Sequence, residues 1–227
     1  LPLMQALARR QSQREFDPVA LPLPVLSDLL WAAAGVNRPD SGGRTAPSAM
    51  NAQEVDLYVA LPEGLYLYDP HAHALQRTVA ADVRRVTGYQ DFVDSAPLDL
   101  VYVADHARMK LVPAEQRSTY AAVAAGAMAQ NVYLQAASAG LATVIRAWLD
   151  RPALAQAMGL GTNQQVLLAQ TVGCALAAAT STESGFFSAW FRSAAWLRAR
   201  ATIWVLRCST LSQLVRRLSH SGRRTRA

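Results

Sequence analysis

The order of local patterns along the chain predicts an α+β fold. Three observations carry that prediction. Strand-like and helix-like segments mix in irregular order, two strand-like segments are joined as a hairpin, and one alanine-crowded helical pattern spans residues 115–139. A doubly wound α/β domain would instead alternate strand and helix regularly.

Taken in order, Leu3 to Arg9 reads as a short helix. Leu26, Leu29, Leu30 and Ala33 keep the i, i+3, i+4, i+7 spacing of a second helix, opened after Pro24 and closed by Gly35. Asn37 to Ser48 is a polar loop carrying Gly42, Gly43 and Pro47, able to shape itself around a ligand. Residues 55–60 form a strand. Leu65 to Tyr68, a turn at Asp69-Pro70-His71, and Ala74 to Gln76 form the hairpin. Residues 79–87 suit a helix, and 98–104 a β-rich strand that follows the loop Gly88 to Phe92. In the long helix, Gly126 and the alanines permit close approach of another helix, and Gly140 ends it. A helix at 152–158 and a strand at 165–173 complete the order, with no internal repeat.

At 227 residues the chain can bury a real core. With 52% hydrophobic and 17% charged residues it is globular, not disordered. Cys174 and Cys208 form neither metal spacing nor a disulfide framework. The net charge of +6 belongs to one end. From residue 181 onward stand nine Arg and one acid, Glu183, whereas the preceding residues carry 13 basic and 15 acidic side chains. The organisation expected is therefore a main domain over 1–176 and a basic tail over 177–227, with no electrostatic support for nucleic acid binding by the main domain. In the tail, Trp190, Trp196 and Trp204 interleave with Arg192, Arg198, Arg200 and Arg207. That pattern fits an amphipathic helix on an anionic surface, or an unordered extension. Three arginines within 186–206 argue against a transmembrane span. The chain begins at Leu1 without a visible signal peptide, so the cytoplasm and, after loss of a leader, the periplasm both fit.

Two early segments carry the chemistry. Arg10-Gln11-Ser12-Gln13-Arg14 places two guanidiniums and a hydroxyl where a helix runs out. Forked Arg donors and a short hydroxyl suit a phosphate monoester; the alternative is a solvated helix end. Pro47-Ser48-Ala49-Met50-Asn51-Ala52-Gln53 is a run of small and amide side chains. Small residues let backbone approach a flat ring whose polar edge Ser48 and Asn51 can bond; ordinary turn chemistry is the alternative. Together they ask for a ligand with a phosphate at one end and a planar polar ring at the other.

These residues resemble the FMN-dependent nitroreductases over roughly residues 3–173. The resemblance rests on Arg-x-Ser-x-Arg-x-Phe, then Pro-Ser-x-x-Asn-x-Gln before a strand, the long helix ending Ala-Gly-Leu, and a terminal strand closing in Val-Gly. Leu29 to Arg38 followed by Arg44 to Ser48 is most similar to the branch of thiazole- and oxazole-forming (SagB-type) dehydrogenases. The family implies a mostly antiparallel central sheet flanked by helices, a long central helix, and a homodimer with two FMN sites at its interface. By position, Arg10, Gln11, Ser12 and Arg14 would hold the phosphate and ribityl chain. Pro47, Ser48, Ala49 and Asn51 would come from the partner chain, Gln90 would meet the pyrimidine edge or ribityl hydroxyls, and Ile145, Arg146 and Ala147 would pass near N5. FMN would then carry the chemistry, fed by NAD(P)H or directly by a small organic substrate, with no catalytic side chain or metal required. A non-catalytic FMN-binding or interaction protein is the alternative.

Two departures stand out. Position 11 is usually basic in the family, and a phosphate-binding Lys or Arg often follows the Val-Gly strand, where this chain has Cys174-Ala175-Leu176-Ala177. Arg192 cannot be assigned to that role. Beside the resemblance, Arg146 reads as a structural partner of Asp150, His71 and His73 as a solvent-exposed turn, and Tyr120 and Tyr133 as packing residues.

Overall fold

A computed structural model of the protein describes residues 1–176. The helices are α1 (Leu3–Arg9), α2 (Leu23–Ala34), α3 (Ala114–Ala139) and α4 (Arg151–Met158). The strands are β1 (Phe16–Asp17), β2 (Val36–Arg38), β3 (Gly43–Arg44), β4 (Val55–Leu61), β5 (Gly64–Asp69), β6 (Ala74–Val79), β7 (Leu98–Asp105), β8 (Leu141–Arg146) and β9 (Gln164–Ala175). Among these residues every strand pairing is antiparallel. Strands β9, β7, β4, β5 and β6 lie side by side in that order. Val172 pairs both Leu98 of β7 and Thr143 of β8, so those two strands flank β9 on opposite edges. Strand β1 continues the β7 edge, with Asp17 opposite Cys174.

The central strands β4 and β7 are buried on both faces, and strand periodicity assigns each residue to one of them. Leu57 and Val59 of β4, with Leu98, Leu100, Tyr102 and Ala104 of β7, join the core built with α2 and α3. Tyr58 and Ala60, with Val101 and Val103, join the core built with α4. Eight consecutive residues, 98–104 and their neighbour Pro97, are therefore buried, which explains the near-continuous apolar run. Gly140 takes φ 72° at the end of α3, the left-handed cap that lets the chain turn at once into β8.

Several expectations need correction. The helix expected at 79–87 does not form. Val79 pairs with Leu65 in the hairpin, and only a 3₁₀ turn exists at Arg84–Thr87. The Arg84 N–H donates to Asp82 Oδ1 at 3.0 Å, a local bond that competes with helix propagation. Helix α2 starts at Leu23, placing Pro24 within the first turn, where its missing N–H costs nothing. Strands β1, β2, β3 and β8 appear where none was expected; β1, β2 and β3 are only two or three residues long and show no periodicity to read. The amphipathic tail reading falls outside the described residues.

Candidate functional site

Helix α1 ends at Arg9, and the chain beyond it is held against β8 by the Gln13 N–H donating to Thr143 O at 3.0 Å. That bond holds the segment so that Arg10 and Ser12 meet Tyr133, a buried residue of α3. Tyr133 is more than packing. Its hydroxyl lies 2.7 Å from Ser12 Oγ and accepts the Ile145 N–H at 3.0 Å, while the Arg10 guanidinium sits 5.1 Å from its ring centre. Arg10, Ser12 and Ile145 are thus gathered around one phenol. Gln11, Ser12 and Arg14 are exposed. Among the described residues neither Arg10 nor Arg14 has a carboxylate partner.

The second segment is a strained turn. Met50, Asn51 and Gln53 all take positive φ, between 50° and 54°, a region that non-glycine residues occupy at a cost. Ser48 Oγ accepts the Gln53 N–H at 2.9 Å, and the Gln53 amide donates to Gly42 O and Asn51 Oδ1, which locks the turn. Pro47 and Asn51 are exposed, Ser48 and Ala49 half-buried. The adjoining cavity, lined by Arg44, Ser48, Gln53 and Met128, measures about 20 Å³. That is room for one water, far short of a small-molecule site.

The two segments meet α3 on different faces. Asn131 donates to Thr45 O at 3.3 Å, just before the second segment, whereas the first segment is fixed by Tyr133. Residues two apart on a helix are roughly 200° around its axis. Within one chain the segments consequently lie on opposite sides of α3.

Arg146 turns its side chain into the sheet. It pairs with Asp99 at 2.7 Å, their side chains 3% and 0% exposed, so the partner is not Asp150 as expected; Asp150 caps α4 instead, accepting the Ala153 N–H. Arg146 also donates to Thr87 O at 2.7 Å, Thr87 Oγ1, Thr171 Oγ1 and, at 3.4 Å, Gln90 Oε1. Asp99 accepts further from Thr87 and Thr171. Burial pushes the Asp99 carboxyl above its usual range, and Arg146, Thr171 and Thr87 oppose that push. A Cβ at Gly88 would strike the Arg146 guanidinium and the Gln90 side-chain oxygen Oε1, so this network would have to shift to admit one. The network ties Gln90 to the strand end carrying Ile145 and Arg146, and leaves Ala147 exposed. His73, expected in a solvent-exposed turn, bridges Ser27 at 2.6 Å and Tyr68 at 2.7 Å, half-buried.

The nitroreductase family model matches residues 7–174. The chain belongs to the nitroreductase family. A Methanocaldococcus jannaschii protein named as a nitroreductase is 34% identical over 152 residues, 63% of this chain and 76% of that protein. A crystal structure from Ralstonia eutropha JMP134, likewise named, shows 56% identity and a TM-score of 0.76, covering 78% of this chain and 85% of that one. A nitroreductase from Desulfovibrio desulfuricans solved in complex with FMN superposes with a TM-score of 0.57 at 20% identity, covering 83% of this chain and 95% of that one. The family is one of oxidoreductases, and the α+β fold with its antiparallel central sheet matches it.

Three groups that organise the candidate site were not legible in the sequence: Tyr133, Asp99 and Thr171. Asp99 offered a signal, because a carboxylate inside an apolar strand must find a buried partner. Tyr133 offered a weaker one, a phenol among the alanines of a buried helix face.

Proposed function

We propose that the protein is an FMN-dependent oxidoreductase acting as a homodimer, each flavin held between two chains. The observation that carries this reading is the pair Arg10 and Arg14, which among the described residues have no carboxylate partner, in the segment that carries the exposed Ser12 hydroxyl. Unpaired guanidiniums with a hydroxyl fit a phosphate monoester. Bound FMN would supply hydride acceptance and onward electron transfer. This chain's residues would bind and orient it. Arg10, Ser12 and Arg14, with Gln11 beside them, would hold the phosphate end. The backbone at Ile145, Arg146 and Ala147 would line the ring, held in place by the buried Arg146–Asp99 pair, with Gln90 at its polar edge. Pro47, Ser48, Ala49 and Asn51 lie across α3 from the first segment in the same chain, which supports their serving the site of a partner chain.

The electron donor is NAD(P)H or an organic substrate, and the acceptor a small organic molecule. Similarity of residues 29–38 and 44–48 to the SagB-type branch favours, as the second reading, direct dehydrogenation of a heterocycle or peptide without NAD(P)H. The test is spectroscopic. The purified protein should show flavin absorption bands, bleached by NAD(P)H and restored by a nitroaromatic or quinone. Bands that resist NAD(P)H but bleach with an azoline substrate select the second reading. A protein that stays colourless with added FMN refutes both.

A further inference from the structure

We propose that Tyr133 is a positioning residue that turns Ser12 into a hydrogen-bond donor open to a ligand and links the two ends of the cofactor site; this rests on the flavin reading above. The argument is one of hydrogen-bond direction. A backbone N–H only donates, so the Ile145 N–H, 3.0 Å away, fixes the Tyr133 oxygen as an acceptor. The phenolic proton needs an acceptor of its own, and among the described residues Ser12 Oγ, at 2.7 Å, is the one within reach. Ser12 Oγ, accepting from Tyr133, has its own proton left to donate. Ser12 is exposed, so that proton is open to a ligand.

The relay therefore runs Ile145 N–H to Tyr133 O–H to Ser12 O–H and ends in a donor, in the segment carrying Arg10 and Arg14, neither of which meets a carboxylate among the described residues. Chained hydrogen bonds polarise one another, and a chain that ends in a donor suits an anion. The Tyr133 ring has a separate task, since Arg10 stacks over it at 5.1 Å. Ile145 belongs to β8 and leads directly to Arg146 and Ala147, so one phenol joins the phosphate end to the ring end. Tyr133 itself is buried in α3 and acts on the ligand only through Ser12.

The ring and the hydroxyl can be tested apart. Tyr133→Phe keeps the face on which Arg10 rests and removes only the relay. The measurement is the affinity of the full chain for FMN and for riboflavin, which lacks the phosphate, by quenching of flavin fluorescence. Tyr133→Phe should weaken FMN about tenfold, the upper end of what one neutral hydrogen bond contributes, and leave riboflavin within about twofold. Ser12→Ala should do the same, and the double variant should bind no worse than Ser12→Ala alone. Equal weakening of both flavins would mark Tyr133 as a packing residue and overturn the proposal, as would independent, additive losses. If Tyr133→Phe melts too low to assay, Ser12→Ala decides, because Ser12 is the relay's outlet; an unchanged FMN-to-riboflavin ratio there overturns the relay. A wild-type protein that binds neither flavin refutes the flavin reading itself, an outcome distinct from wild-type binding with unaltered variants.

Discussion

Arg146 and Arg10 sit at either end of the same short stretch of structure, near Ile145, and are opposites. Arg146 has its guanidinium donors engaged within the protein, by Asp99, Thr87, Thr171 and Gln90, and is all but sealed from solvent. Arg10 rests on Tyr133 and, with Arg14, meets no carboxylate among the described residues. The first is committed to the fold and the second is available to a ligand. An arginine's role thus follows from which of its donors are already taken, not from its charge.

The hardest test of this contrast is Arg146→Ala. It strips the buried Asp99 carboxyl of its partner, and should cost about 3–5 kcal/mol of stability, read as a shift in the urea midpoint. Replacing both members by apolar residues of similar volume should cost far less, and a single-variant loss below about 1 kcal/mol would break the comparison. On the ligand side, Arg10→Ala with Arg14→Ala should leave the urea midpoint nearly unmoved while FMN affinity falls at least a hundredfold, at about 1.5–3 kcal/mol for each charged hydrogen bond lost. A large fall in stability would show that these residues serve the fold after all.

Gly88→Ala sharpens the same line, because it strikes both Arg146 and Gln90. Overpacking of this kind should cost about 1–3 kcal/mol in thermal or urea unfolding. The smallest effect expected is at His73. Burial holds its imidazole below the ordinary value, with Asp28 working in the opposite direction. The unfolded chain therefore takes up the proton first as pH falls. Its contribution is complete above about pH 6.5 and declines below that, toward the lowered folded-state value. The loss of unfolding free energy between pH 8 and pH 5.5 should be smaller in His73→Gln than in the parent. An identical pH dependence in the two proteins would remove His73 from the account.

The legibility of the chain varied with the length of the pattern. Helix α1, the long helix α3 and strands β4, β7 and β9 were readable because each repeats its period several times. The helix expected at 79–87 failed because Asp82 offers the backbone a local alternative. Strand β8 carried a β-branched run, Thr143-Val144-Ile145, but follows α3 without a connecting loop, so no turn signal marked its start. The arginine and serine cluster of the site was visible at once, since its residues are adjacent in the chain. The Arg146–Asp99 pair was not, because 47 residues separate its members.

By itself the sequence determined the α+β class, the family, and the residue types offered to a phosphate and a planar ring, since all of these are written in local period and short motifs. Only the tertiary structure decided which donors stay free. It did so by bringing Asp99 of β7 to Arg146 of β8 across the intervening strand β9, where a buried charge needs a partner, and Tyr133 to Ser12 across 121 residues.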